Sequence, residues 1–114
     1  MDAKLDQHFE KPDPETRDLY DVLLASVRKF GSVEEDPKKT SIHLNRKTAF
    51  AGVRVRGDHL LLTIKSDRDI HHARVVKSER TSANRWHVEV RVREKDDIDK
   101  QLTAWLKTAY TLSA

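Results

Sequence analysis

The sequence predicts a single α+β domain, in which one helix near each end of the chain packs on one face of a roughly five-stranded antiparallel meander sheet. Apolar residues recur every three or four positions in two terminal segments, and at every second position between them. A chain of 114 residues suits one hydrophobic core. Because each helix has one apolar face, both must bury it against the sheet, which gives a two-layer sandwich. The second sheet face, here called the outer face, is then open to solvent.

The first helix follows an N-terminal lead-in. Residues 1–12 are predicted to be flexible, because they show no apolar period and run into a Pro-Asp-Pro segment, and residues 13–114 then form the domain. Asp13 can cap a helix whose first turn accepts Pro14, and Gly31 can end it after Phe30. The residues on its apolar face are Leu19, Val22, Leu23, Val27 and Phe30.

The middle of the chain alternates between apolar and polar residues, as half-buried strands do. An acidic loop with Pro37 comes first. The predicted strands cover residues 41–45, 48–56, 59–65, 73–79 and 85–93. Phe50 has the wrong parity for the apolar face of the second strand, and a bulge near Gly52 would reconcile it.

A helical period returns from Asp96 or Asp97, where acidic side chains suit the positive end of a helix dipole. The apolar stripe of this last helix consists of Ile98, Leu102, Trp105, Leu106 and Ala109.

Composition excludes several classes of protein. The chain has no cysteine, so disulfides, thiolate zinc sites, iron–sulfur clusters and a cysteine nucleophile are excluded. The first ten residues lack the basic-then-apolar plan of a secretory signal, and no stretch approaches the ~20 apolar residues that span a bilayer. We therefore expect a cytoplasmic protein with no membrane partner.

Charge is unevenly distributed along the chain, whose formal net charge is +3. Residues 37–93 contain 14 Lys and Arg against 5 Asp and Glu, whereas residues 1–36 contain 5 against 10 and residues 94–114 contain 3 against 4. Alternation collects basic side chains on the outer face, namely His43, Arg54, Arg56, Lys65, His87, Arg91 and Arg93. Such a surface can neutralise phosphates, although a merely solvated sheet face has the same composition. Trp86 falls on the inward parity and the parity of Phe50 is ambiguous, so the face lacks the aromatic residues that stack on single-stranded bases.

Two other kinds of site are less favoured. Asp67, Asp69, His71 and His72 carry metal-ligand donors, but adjacent histidines in an extended segment point to opposite sides, which favours a solvated loop. The chain has no Gly-x-Ser-x-Gly elbow and no phosphate-cradling glycine loop. We therefore expect no enzymatic activity, no bound metal and no cofactor.

Four segments resemble an uncharacterised bacterial family, the domain of unknown function numbered fifty-six fifty-five. They are 38–42 (KKTSI), 48–53 (TAFAGV), 85–92 (RWHVEVRV) and 97–110 (DIDKQLTAWLKTAY), and the last is the most specific. The resemblance covers about residues 19–110 and implies a helix–sheet–helix domain without catalytic residues to carry over. The element order is also similar to that of frataxin-type small bacterial folds, which is an analogy of fold and not of site.

The function expected from these observations is a non-catalytic binding module, whose basic outer face contacts nucleic acid or an acidic protein. A protein–protein or self-association module, using that face or an edge strand, is the main alternative. A small-ligand or metal-binding domain is the third.

Overall fold

The computed structural model describes residues 3–114, which form three α-helices and six strands. The helices are α1 (Ala3–Gln7), α2 (Pro14–Arg28) and α3 (Lys100–Leu112), and a short 3-10 helix covers Lys95–Asp97. The strands are β1 (Glu34–Pro37), β2 (Ile42–Asn45), β3 (Ala49–Val55), β4 (Leu60–Ser66), β5 (Val75–Ser82) and β6 (Arg85–Val92). Within this described part, no helix is long and apolar enough to cross a membrane.

The strands form one antiparallel sheet in the order β1-β2-β3-β4-β6-β5. The predicted fold class is confirmed, but the sheet has six strands, and β6 lies between β4 and β5. The reason is the distribution of apolar residues. Each alternate residue of β6 from Val88 to Val92 is fully buried, whereas β5 is mostly exposed. Pairing β6 with the apolar β4 places its three buried valines opposite Leu60, Leu62 and Ile64 and leaves the polar β5 at the edge.

Strand β1 lies where the sequence predicts a loop. Its four residues include three acidic ones and Pro37, so no apolar alternation marks it, and proline is tolerated there because β1 is an edge strand. Glu35 is opposite the buried Leu44, and its Oε2 accepts a hydrogen bond of 2.6 Å from the Tyr20 hydroxyl. Burial, together with this hydrogen bond, raises the pKa of the Tyr20 phenol. A buried polar pair therefore holds β1 to α2.

Removing the Tyr20 hydroxyl tests how much its hydrogen bond to Glu35 contributes to stability. Tyr20 is completely buried, and we expect Tyr20→Phe to lower the free energy of unfolding by about 1–3 kcal/mol, because the Glu35 carboxylate loses one of its two donors and keeps only Arg28. Urea unfolding of the two single variants and the Tyr20→Phe/Glu35→Ala double variant gives the coupling energy. Strictly additive losses would contradict a direct interaction.

The helices α2 and α3 pack on the inner sheet face, which is the face opposite the outer face. Helix α2 begins at Pro14, as predicted, but the side chain of Asp13 at the N-cap position forms no capping hydrogen bond. The helix ends at Arg28, two residues before Phe30. Helix α3 begins at Lys100, later than predicted, because Asp97 instead completes a capping box for the 3-10 helix. The N-cap of α3 is Asp99, whose carboxylate accepts from the Leu102 N–H at 3.0 Å. That hydrogen bond, with a smaller effect of Arg74, holds the pKa of Asp99 below its ordinary value.

The predicted bulge exists in β3, but it lies at Phe50 and not at Gly52. The register of β2 and β3 shifts so that Leu44 is opposite Ala51 and Asn45 is opposite Ala49, which leaves Phe50 as the extra residue. Phe50 therefore turns inward and packs edge-on against Tyr110 of α3, with 5.3 Å between the ring centroids. The bulge brings an aromatic ring of the wrong parity into the core.

Part of the predicted N-terminal lead-in contacts the domain. Leu5 of α1 is buried in the core, and the Phe9 ring lies 5.2 Å from that of Tyr20. Arg17 of α2 pairs with Asp6 of α1 at 3.3 Å. The buried Leu5 side chain thus joins residues 3–9 to the core, and one ring contact and one ion pair connect them to α2.

Candidate basic binding face

The outer face is formed by the residues between the inward-facing ones on each strand. In one row across the sheet, His43 is opposite Gly52 and Gly52 is opposite Thr63. In a second row, Arg54 is opposite Leu61, which is opposite Arg91. None of the three α-helices has its buried residues on this side, since the core lies on the inner face. The central strands therefore present the outer face to solvent.

Four of the seven predicted basic residues surround one shallow cavity of about 220 Å³, called here the Gly52 hollow. Gly52 is one of its lining residues and lies between His43 and Thr63 in the row across the sheet. The basic residues that line it are His43, Arg54, Lys65 and His87, and the hydroxyl-bearing ones are Ser41 and Thr63. No Asp or Glu lines the Gly52 hollow. Positive groups and hydrogen-bond donors thus converge on it from β2, β3, β4 and β6.

Lys65 is held in place by neutral groups. Its Nζ donates to Ser113 Oγ at 2.9 Å and to Thr48 Oγ1 at 3.2 Å. Within residues 3–114 the ammonium has no carboxylate within 4.0 Å. Burial lowers the pKa of Lys65, and the nearby Arg85 lowers it further. An anion at this position would supply the missing counter-charge.

The other three predicted residues lie outside the hollow. Arg91 is two strands away from Arg54, across Leu61, which is about 10 Å. Arg56 and Arg93 follow the ends of β3 and β6, and Arg93 lines a different cavity of about 380 Å³. Most of the lining residues of that second cavity are acidic: Asp13, Glu15, Asp18, Asp58, Glu94 and Asp96. Arg93 therefore belongs to mixed-charge surroundings and not to the central basic cluster.

Carboxylates border the basic cluster on both sides. Asp36 is opposite His43, Glu89 is opposite Thr63 and Glu79 is opposite His87. Lys38 lies 2.9 Å from Asp36 and holds the pKa of that carboxyl below its ordinary value, so Asp36 is already paired. Because Glu89 lies between His87 and Arg91 on β6, this carboxylate separates Arg91 from the residues that line the Gly52 hollow.

Sequence reasoning missed the uncharged members of the hollow, Gly52, Thr63 and Ser41, because it selected residues by charge. The available signal was a glycine inside an alternating strand, which often marks a close approach by another group. Which side chains surround this glycine depends on strand pairing, which the alternation within single strands does not predict.

Of the four residues considered for metal binding, Asp69 and His71 lie 3.3 Å apart, but the set does not converge on one point. Asp67 pairs with Arg68 at 3.1 Å, and Asp69 accepts from the Ser78 hydroxyl at 2.6 Å. The His72 ring stacks edge-on against Trp105, with 5.2 Å between the centroids. In the described range 3–114, no three or more His, Asp or Glu side chains form a group that could hold a metal ion.

Comparison with known proteins adds a family and no activity. Residues 5–113 match the model of a family described as "Domain of unknown function (DUF5655)". No curated protein and no solved structure matches the chain.

Proposed function

The chain belongs to the DUF5655 family, whose description names no activity. From its surface we propose that it is a non-catalytic binding module. Its outer face binds a phosphate-bearing polyanion, with nucleic acid as the first choice. The proposal concerns the central basic cluster of the outer face. That cluster consists of His43, Arg54, Lys65, His87 and Arg91; Arg56 and Arg93 lie outside it and would contact a polyanion only at the periphery.

The observation that carries this proposal is a set of arginines without partners on an uncovered sheet face. Four other arginines each lie within 3.4 Å of a carboxylate oxygen, namely Arg17, Arg28, Arg68 and Arg74. Arg46, Arg80 and Arg85 donate to backbone carbonyl oxygens instead. Arg54 and Arg91 are exposed, and among residues 3–114 neither forms an ion pair. Their guanidinium groups are free to contact phosphate oxygens, which bind arginine well through paired N–H donors.

Recognition through this face should depend on phosphate and not on base identity. Trp86 is opposite Ser66 on the inner face, where Arg80 lies over its ring at 5.4 Å. Among the described strands, the outer face therefore carries no Phe, Tyr or Trp ring for a base to stack on, and stacking on such rings is what gives single-strand binders their base contacts. We expect steep salt dependence and weak sequence preference.

Sheet-edge association is disfavoured by both edge strands. β1 carries Pro37, which cannot donate to a ladder, and β5 has a bulge at Val76, whose register skips from Val75 to Lys77. These features are typical of edges that avoid pairing with another chain. A binding face is thus better supported than self-association through an edge.

The test is a fluorescence-polarisation titration with short single- and double-stranded DNA and RNA at two salt concentrations. Arg54→Glu/Arg91→Glu should weaken binding by roughly tenfold or more and reduce the slope of log K against log salt by about 2, one for each lost phosphate contact. The control is Lys100→Glu/Lys107→Glu, which makes the same charge change on α3.

Equal loss in both double variants would mean that only net charge matters and would contradict the assignment to the outer face. Absence of binding by the unmodified protein at low salt would overturn the proposed function. Circular dichroism of each variant establishes that its fold is retained, as expected for exposed side chains.

A further inference from the structure

We infer that the Gly52 hollow is a site for one phosphate group, and that it seats a backbone phosphate of the bound strand. The inference rests on the proposed function, which it makes more specific. It starts from a glycine whose presence neither conformation nor packing requires.

Gly52 lies inside β3, a strand paired on both sides, where glycine weakens the sheet because it has no side chain to pack. Among the described residues, only Gly31 has a positive φ, so the backbone at Gly52 is one that any residue can adopt. A Cβ built on Gly52 has one neighbour within 4 Å, the His43 Cδ2 at 3.9 Å, which is ordinary van der Waals contact. A larger residue would fit, and its absence is what leaves the hollow open.

The lining of the hollow suits an anion with several acceptor oxygens. Imidazoles can donate N–H groups from His43 and His87, hydroxyls can donate from Ser41 and Thr63, and Lys65 carries an ammonium. No carboxylate lines the hollow, which disfavours a cationic ligand. The volume of about 220 Å³ corresponds to about seven waters at their liquid volume, enough for a phosphate group with a few waters.

Lys65 is prepared for such a ligand. Two of its three N–H donors are occupied by the Thr48 and Ser113 hydroxyls, which fix the position of Nζ and leave one donor available. Because these partners are neutral, they leave the positive charge of Lys65 uncompensated. An incoming phosphate can therefore pair with the ammonium without displacing a carboxylate.

The experiment fills the hollow without disturbing the strand. Gly52→Val places a branched side chain, which strands favour, over the hollow, and thermal unfolding should show unchanged or higher stability. The probe is inorganic phosphate, followed by ¹H–¹⁵N NMR, and a short oligonucleotide is titrated in parallel. We expect saturable shifts at the Gly52 and Thr63 amides of the unmodified protein, their loss in Gly52→Val, and roughly tenfold weaker oligonucleotide binding. Gly57→Ala, which adds a methyl in open space, is the control.

The outcomes separate this inference from the proposed function. If Gly52→Val keeps both the phosphate shifts and full oligonucleotide affinity, the phosphate site is overturned while the basic face stands. If it loses the phosphate shifts but keeps oligonucleotide affinity, the hollow binds free phosphate, and its role in strand binding is overturned. If the unmodified protein responds to neither probe, both proposals are overturned.

Discussion

Leu62→Ala is expected to lower the free energy of unfolding by about 2–5 kcal/mol, the range for removing a buried leucine side chain when its surroundings relax only partly. Leu62 is completely buried in β4, between Val53 of β3 and Val90 of β6, which are also completely buried. Because β4 is central in the sheet, its neighbours are held by hydrogen bonds on both sides and cannot collapse into the cavity. A loss of this size is a large share of the ~5–15 kcal/mol typical of a whole domain.

The matched control is Leu61→Ala, the next residue of the same strand. Leu61 lies on the outer face between Arg54 and Arg91 and is partly exposed, so its truncation should cost about 1 kcal/mol or less. Urea unfolding followed by tryptophan fluorescence compares the two variants. Equal losses would contradict the assignment of inner and outer faces on β4.

Gly31→Ala is expected to destabilise the protein by about 1–3 kcal/mol through backbone strain alone, and further through a steric clash. Gly31 has φ 148°, a conformation that residues with a side chain rarely adopt, and a Cβ there would lie 2.5 Å from the Tyr110 hydroxyl. That hydroxyl cannot easily move. It donates to the Ser32 carbonyl at 3.0 Å, and its ring is wedged against Phe30 and Phe50, with centroids 5.7 and 5.3 Å away.

The control for Gly31→Ala is Gly57→Ala, at a turn where an added Cβ meets nothing within 4 Å and φ is not positive. Its effect should stay within about 0.5 kcal/mol. The midpoints of thermal and urea unfolding test both variants. If Gly31→Ala were as stable as Gly57→Ala, the close approach of α3 to the end of α2 would be refuted.

The elements that the sequence predicts best are those whose pattern is local. The step of three and four in α2 and α3, and the strict alternation in β6, follow from which residues face the core, and they identify helix and strand without knowledge of partners. The terminal helices and the fold class were predictable for this reason. Alternation also assigns the residues of each strand to one of the two faces of the sheet.

What the sequence could not reveal depends on pairing between distant segments. β1 was missed because its inward residue is Glu35, an acid satisfied by a tyrosine 15 positions earlier. The order of β5 and β6 depends on which of the two strands pairs with β4. The periodicity of neither strand predicts that choice. Predicting the Gly52 hollow requires the register of four strands, because His43 and His87 line it from β2 and β6.

The place of β5 at the rim also decides which part of the molecule can open first. A strand with one neighbour and few buried side chains breaks few stabilising contacts when it detaches. We therefore expect fraying to begin on β5 and β1 rather than at the centre of the sheet. The four strands that carry the basic cluster would stay paired through such events. Local unfolding can therefore proceed at the margin, while the surface offered to a ligand keeps its shape.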